Sequence, residues 1–245
     1  MPRRRADQVL VAQGLASSRT RAQALILAGS VIQGDSRLIQ KPGETIDEDE
    51  PLRLKHEPLK YVSRGGLKLE AALKHFAIDV QGAVCLDVGA STGGFTDCLL
   101  QAGAKHVYAI DVGYGQIAWS LRQDARITVI ERVNIRYLQA DAVAEKIVVV
   151  VIDVSFISLK LVLPNLARFV APQATVIALV KPQFEVGRAD VGKGGIVKSV
   201  EARQRALTGI SAFVGELGWQ LLGTMESPIL GAAGNLEYLI GARLR

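Results

Sequence analysis

The chain has 245 residues, 49% of them hydrophobic and 22% charged, with a formal net charge of +5. That composition excludes a disordered or fibrous chain, leaves ample apolar material for a core, and suits one large domain or a small domain beside a medium one. Aromatic residues are only 5%, which argues against an extended stacking platform for single-stranded nucleic acid, while the basic balance favours a polyanionic partner.

The charge is uneven. Between residues 1 and 41, Arg3, Arg4, Arg5, Arg19, Arg21, Arg37 and Lys41 face only Asp7 and Asp35. The same segment predicts a helix from Ala6 to Gln13, stopped by Gly14. A second helix runs from Arg19 to Ala28, N-capped by Ser17 or Ser18, with Ala22, Leu25 and Ile26 on one face. Short strands follow at Val31–Ile32 and Leu38–Ile39 around a Gly34-Asp35 turn; Lys41-Pro42-Gly43 breaks the chain, and Leu52 to Leu54 forms another strand. This is a small α+β domain over residues 1–58, with residues 55–62 as a linker or joining strand.

From residue 59 onward strands and helices alternate. A helix is predicted over Gly66–Phe76, strands at 83–88, 105–111, 126–130, 146–153 and 174–180, and helices at about 94–103, 115–123 and 158–170 between them. A helix at about 200–217 and strands near 219–224 and 235–242 complete the chain. Repeated βα units with nearly continuous apolar strands predict a parallel sheet covered on both faces, here a seven-stranded, doubly wound, Rossmann-like sheet over residues 59–245.

Cys85 and Cys98 form no CxxC pair, and His56, His75 and His106 are scattered, so no metal site is expected and all five read as filler. The N-terminus lacks the apolar stretch of a signal peptide, and the longest apolar run, Ile147 to Ile152, is strand-sized. A cytoplasmic protein without membrane partners is the expectation.

The sequence Val84-Cys85-Leu86-Asp87-Val88-Gly89-Ala90-Ser91-Thr92-Gly93-Gly94-Phe95-Thr96 runs from a strand into a helix. Glycines there let a backbone approach a ligand at a helix N-terminus. The loop is neither GxGxxG nor a P-loop, since Phe95 stands where the phosphate-binding lysine is needed. Asp111 ends the next strand about 20 residues on, where an acid can accept from a ribose diol. The pattern reads as a nucleoside-cofactor site.

These residues resemble the FtsJ-type ribose 2′-O-methyltransferases, and the whole chain resembles the TlyA family, which joins an S4 RNA-binding domain to such a catalytic domain. The matching stretches are Ser63–Glu70, Asp87–Asp97, Asp111–Gly115, Asp153–Leu159, Lys181–Glu185 and Gly234–Glu237, with Arg5-Ala6-Asp7, Gly14-Leu15-Ala16, Ser18-Arg19 and Gly29-x-Val31 in the first segment. The resemblance implies S-adenosylmethionine as cofactor and a Lys68, Asp153, Lys181, Glu237 catalytic tetrad. It places the cofactor at Asp87, Gly89, Ala90, Ser91, Thr92, Gly93, Gly94, Phe95 and Asp111, and at Asn134, where related enzymes often carry an adenine-contacting Asp. It implies ribosomal RNA or ribosomal subunits as substrate, with cytidine ribose as target. The name haemolysin also attaches to this family.

The residue types suit that chemistry. A ribose 2′-hydroxyl is a weak nucleophile, so it must be aligned with the sulfonium methyl and lose its proton. A lysine acting as base, with an ordinary pKa of about 10.4, needs burial or nearby cations, against which carboxylates act. Lys181 is the expected base and Lys68 its electrostatic support. Arg3, Arg4, Arg5, Ser18, Arg19, Arg21, Arg37, Lys41, Arg64, Arg188 and Lys193 are expected phosphate contacts, the last two in a glycine-rich stretch from Gly187 to Gly195, with Lys198 just beyond it a further basic neighbour. Phe156 and Phe184 are placed either to stack on an extruded base or to pack in the core. Three rivals stand beside this reading: a membrane-active haemolysin, a non-catalytic RNA-binding assembly factor, and a base methyltransferase, whose Asn-Pro-Pro-Tyr-like signature gives way here to Asp153-Val154-Ser155-Phe156.

Overall fold

The computed structural model describes residues 3–16, 18–55, 59–231 and 233–244. Ser17, one of the two expected helix caps, and residues 56–58 of the expected linker lie outside them. The chain divides into two compact units, Met1–Leu59 and Lys60–Arg245.

In the first unit, strand β1 (Arg3–Arg5) leads into α1 (Ala6–Ala12), and α2 (Arg19–Leu27) follows, capped by Ser18, whose hydroxyl accepts from the Arg21 N–H at 3.2 Å. Strands β2 (Val31–Gln33), β3 (Arg37–Leu38), β4 (Thr45–Asp47) and β5 (Leu52–Leu54) complete it. β2 pairs antiparallel with β3 and β5, and β1 with β4. Strands β1 and β4 were not expected, because an arginine run and a turn-rich stretch carry no alternation; they form by pairing with each other. Leu10, Ile26, Val31, Ile39 and Ile46 make the core.

Asp7 is fully buried among these elements. Its carboxylate accepts from Arg5 (Nε 3.1 Å, Nη2 2.9 Å), from Gln23 Nε2 at 2.9 Å and from Arg19 Nη2 at 3.3 Å. The hydrogen bond from Arg5 does most to hold the carboxyl well below the usual carboxylate range, against the opposing effect of burial. A carboxylate depressed in the folded state stabilises above its unfolded pKa, near 4, and that contribution is lost as the pH falls through the native value. Asp7→Ala is therefore expected to cost about 2 kcal/mol at pH 7 and clearly less at pH 2, where part of the contribution is gone, read by urea titration at both pH values. An equal loss at both would refute the charge-based account.

In the second unit, α3 (Gly65–His75) precedes strands β6 (Val84–Val88), β7 (His106–Asp111), β8 (Ile127–Glu131), β9 (Ile147–Ile152), β10 (Val170–Val180), β11 (Gln220–Glu226) and β12 (Tyr238–Arg243). Helices α4 (Gly94–Gln101), α5 (Trp119–Arg122), α6 (Pro182–Glu185) and α7 (Val200–Glu216) lie between them. The seven strands order as β11-β12-β10-β9-β6-β7-β8. Alternate residues of β9 face opposite cores: Val150 and Ile152 meet Leu207 and Ile210 of α7, while Val149 and Val151 join Leu69 of α3 and Leu99 of α4. A strand buried on both faces needs no polar alternation, which is why Ile147–Ile152 reads as one apolar run.

Three expectations are corrected. The sheet is not wholly parallel, because β12 runs antiparallel to both β10 and β11. The helix expected over 158–170 is two 3-10 turns, Leu159–Leu161 and Leu163–Asn165, since Pro164 supplies no N–H and its ring would strike the carbonyl four residues back in an α-helix. The helix expected at 115–123 shortens to α5, as Gly115 adopts a left-handed φ of 69° and residues 112–118 form a loop. No helix among the described residues is long and apolar enough to cross a membrane.

Candidate active site

Strand register assembles the site. In the parallel pair, Ala178 of β10 lies beside Ile152 of β9; in the antiparallel pair, Val180 lies beside Tyr238. One residue beyond β9 stands Asp153, one beyond β10 Lys181, and one before β12 Glu237. The reversal of β12 thus brings Glu237 to the carboxyl edge where the parallel strands end. Lys68 comes from the buried side of α3.

The four residues form two ion pairs. Lys68 Nζ donates to Glu237 Oε2 at 2.5 Å, and both side chains are buried. Lys181 Nζ lies 2.6 Å from Asp153 Oδ1 and hydrogen-bonds Ser155 Oγ at 2.9 Å. The Asp153 contact is an ion pair without hydrogen-bond alignment, so Oδ1 is a buried acceptor with no hydrogen-bond partner among the described residues. Gly231 makes room for Glu237, since a Cβ there would sit 2.3 Å from Oε1. Ser155 was missed as a site residue; its position two residues after Asp153 was the available signal.

Beside this edge, between β6 and β9, lies a cleft of 310 Å³, within the range of small-molecule sites. β6 and β9 flank the point where strand order reverses, the usual ligand position in a doubly wound sheet. Gly89, Ser91, Asp111, Asn134 and Asp153 supply its polar lining, and Ile110, Val133 and Ile135 are among its apolar walls. At Gly89 the backbones of the two strand ends almost touch: a Cβ would lie 2.4 Å from the Asp153 carbonyl oxygen.

The other expected cofactor residues distribute differently. Asp111 clamps the loop, accepting from Ser91 N at 2.8 Å and Gly113 N at 2.6 Å. Asn134 Oδ1 accepts from Arg136 N at 3.0 Å, closing a local turn. Gly93 and Gly94 face packing partners, Leu121 and Ser63 respectively, while Phe95 is buried in the core with Ala90 nearby. Thr92 is exposed, and its carbonyl accepts from Ala118 N.

Asp87 lies beneath the loop, fully buried. Oδ2 accepts from Thr96 Oγ1 at 2.7 Å, and Oδ1 has no partner among the described residues. Burial, with the nearby Asp153 adding to it and the Thr96 bond opposing it, pushes this carboxyl up to about 7. A group raised in the folded state contributes stability that is full below the unfolded pKa and lost as the pH rises through the folded one. Between pH 4 and pH 8 the ligand-free protein is therefore expected to lose melting temperature through Asp87, and Asp87→Asn to flatten that segment of the Tm–pH curve. Parallel curves for the two proteins would exclude Asp87 as the titrating group.

A second opening of 520 Å³ adjoins the cleft, lined by residues that include Asn134, Arg136, Ser155, Phe156 and Phe184. Phe156 is 90% exposed at a left-handed φ of 64°, its ring 5.2 Å from that of Phe184. An exposed aromatic held in strained backbone is not core filler. Nearby loops carry stacked pairs, Arg132 over Tyr114 at 4.1 Å and Arg136 over Tyr137 at 5.1 Å. These cations were missed because arginines inside an enzyme-like half give no sequence pattern. The aromatic content is low, yet four exposed rings (Tyr114, Trp119, Tyr137 and Phe156) lie in these loops or in α5.

Of the expected RNA contacts, Arg64 is exposed at the start of α3, and Arg188 and Lys193 are exposed on the loop before α7. In the first unit, Arg3, Arg4 and Arg5 share β1, with Arg4 3.6 Å from Glu48; Arg37 pairs with Glu44 at 2.5 Å; Arg21 and Lys41 are exposed; and Ser18 is used as a helix cap. Among the described residues, no group of three or more His, Cys, Asp or Glu could hold a metal ion.

A doubly wound sheet with a glycine-lined cleft at its switch point and paired lysines and carboxylates beside it fits an S-adenosylmethionine-dependent methyltransferase, the class to which the comparisons assign the chain. The profile of the FtsJ-like methyltransferases matches residues 61–244, and the chain belongs to that family. It is 47% identical to the Mycobacterium tuberculosis 16S/23S rRNA (cytidine-2′-O)-methyltransferase TlyA, covering 98% of this chain and 90% of that one. With Hemolysin A of Brachyspira hyodysenteriae it shares 41% identity over 96% of this chain and 98% of the relative. A solved Streptococcus thermophilus structure carrying a haemolysin name superposes with a TM-score of 0.75 at 45% identity, over 100% of this chain and 89% of the other.

Proposed function

We propose that this protein methylates a ribose 2′-hydroxyl in ribosomal RNA, at cytidine, in the cytoplasm. The observation that carries the reading is the Lys181 ammonium held between Asp153 and Ser155 next to the cleft, with the Lys68–Glu237 pair on the same sheet edge. The name of the M. tuberculosis relative supports the substrate class and the cytidine.

The cleft suits S-adenosylmethionine, with apolar walls for a purine and Asp111, with lone pairs to spare, for a ribose diol. The donor supplies a methyl group already activated on a sulfonium. Lys181 Nζ, once its ammonium has given a proton to solvent, would accept the proton of the 2′-hydroxyl as that oxygen receives the methyl group. Asp153 and Ser155 aim that nitrogen, the buried Lys68 supports it electrostatically from the same sheet edge, and Glu237 orients Lys68. Phe156, backed by Phe184, stacks on the extruded base. Asp87, Gly89, Ala90, Ser91, Thr92, Gly93, Gly94, Phe95, Asp111 and Asn134 make up the cofactor loop and its support.

The unit Met1–Leu59 is an S4-like RNA-binding domain in this reading. Arg3, Arg4, Arg5, Ser18, Arg19, Arg21, Arg37 and Lys41 meet phosphates there, and Arg64, Arg188 and Lys193 do so on the catalytic unit. The test is methyl transfer from radiolabelled S-adenosylmethionine to bacterial ribosomal subunits beside naked rRNA. Label in an alkali-resistant dinucleotide whose 5′ nucleotide is cytidine is expected. Label in a base, or none in any RNA despite cofactor binding, would refute the proposal.

A further inference from the structure

The basic segment 187–198, with exposed Arg188, Lys193 and Lys198, is tied down at both ends. Near one end Arg205 of α7 binds both carboxylate oxygens of Asp190, at 3.1 and 3.0 Å. Inside it, Gly195 N donates to Gly192 O and Gly192 N to Ile196 O, a closed turn in which Gly194 and Gly195 take left-handed φ values of 75° and 77°. The other tie is Asn235, 2% exposed: its Nδ2 donates to Gly195 O at 2.8 Å and its Oδ1 accepts from Val197 N at 2.9 Å. A primary amide offers donor and acceptor side by side, so it meets a backbone as a neighbouring strand would.

Asn235 stands two residues before Glu237, in a segment with its own bonds. Gly231 N donates to Asn235 O and Ser227 N to Glu237 O, each at 2.9 Å, and Gly231 packs against the Glu237 carboxylate. The short stretch Asn235–Glu237 therefore touches the basic loop through Asn235 and Lys68 through Glu237. We propose that Asn235 is a positioning residue that couples phosphate engagement on the 187–198 loop to the placement of the Lys68–Glu237 pair. RNA held by the loop then raises the rate of the methyl-transfer step, beyond adding affinity. The inference rests on the rRNA methyltransferase reading above.

Asn235→Asp keeps size and acceptor but turns the donor into a second acceptor facing Gly195 O. In the full chain, with ribosomal subunits as substrate, trypsin is expected to cut after Arg188, Lys193 or Lys198 faster than in the wild type. The single-turnover rate at saturating subunits falls about tenfold, while cofactor affinity changes by less than about twofold. The Lys193→Ala/Lys198→Ala pair tests the same coupling without touching Asn235: kcat is expected to fall along with a rise in KM, and Asn235→Asp added to that pair costs less than it does alone. Faster cleavage with an unchanged rate, or a loop pair that raises KM with kcat intact, overturns the coupling. A wild-type chain that labels no RNA overturns instead the reading beneath it.

Discussion

Lys181→Ala is expected to lower the single-turnover rate of methyl transfer by about a thousandfold, the span over which a positioned general base acts. Cofactor affinity and fold should survive. Lys181 does not line the cleft between β6 and β9, and Asp153, its partner, keeps a quarter of its side-chain surface in solvent, so the carboxylate released by the substitution is hydrated. Lys181→Arg separates charge from proton transfer, because a guanidinium pairs with Asp153 but stays protonated at any working pH. Its rate should remain close to that of the Ala variant. An arginine variant with near wild-type turnover would remove Lys181 from the base role and leave it electrostatic.

Glu237→Ala carries the largest expected stability effect. It strands the Lys68 ammonium, 7% exposed, at the end of a helix face whose other buried members are apolar. Breaking a buried pair from one side costs about 3–5 kcal/mol, which for a unit of this size lowers Tm by about 10 °C. Glu237→Gln keeps an oxygen for the ammonium and should lose less. The double variant Lys68→Met/Glu237→Leu, with no charge left to bury, is expected to recover most of the lost Tm in thermal unfolding while showing no methyl transfer. If Glu237→Ala melts as the wild type does, the ammonium has found water or another acceptor and the pair is not the buried bridge described above.

Much of this architecture was legible in the linear pattern because its causes are local. The strand β9 is an apolar run bounded by Lys146 and Asp153, and a strand buried on both faces can be nothing else. The Gly89–Gly94 turn and Asp111 stand at the spacing of a βαβ unit, so a cofactor cleft at the end of β6 followed from steric rules about glycine and helix ends. Where Pro164 interrupts an apolar stretch, periodicity pointed to a helix and local covalent chemistry overruled it.

Other features depend on groups that meet only after folding. Lys68 and Glu237 are 169 residues apart, and their contact exists because β12 inserts antiparallel beside β10. Nothing in Tyr238–Arg243 dictates its direction, since a strand buried on both faces looks the same read either way. The burial of Asp7 under two arginines, the packing roles of Gly93 and Gly94, the strained exposure of Phe156 and the grip of Asn235 on Gly195 and Val197 likewise belong to tertiary structure. The sequence alone determined the α/β alternation and the glycine turn, because side-chain periodicity and backbone sterics act over a few residues; which four residues to watch came from the family resemblance. Their assembly into two ion pairs was decided by strand order and direction, which depend on the free energy of packing the whole sheet rather than on any segment of it.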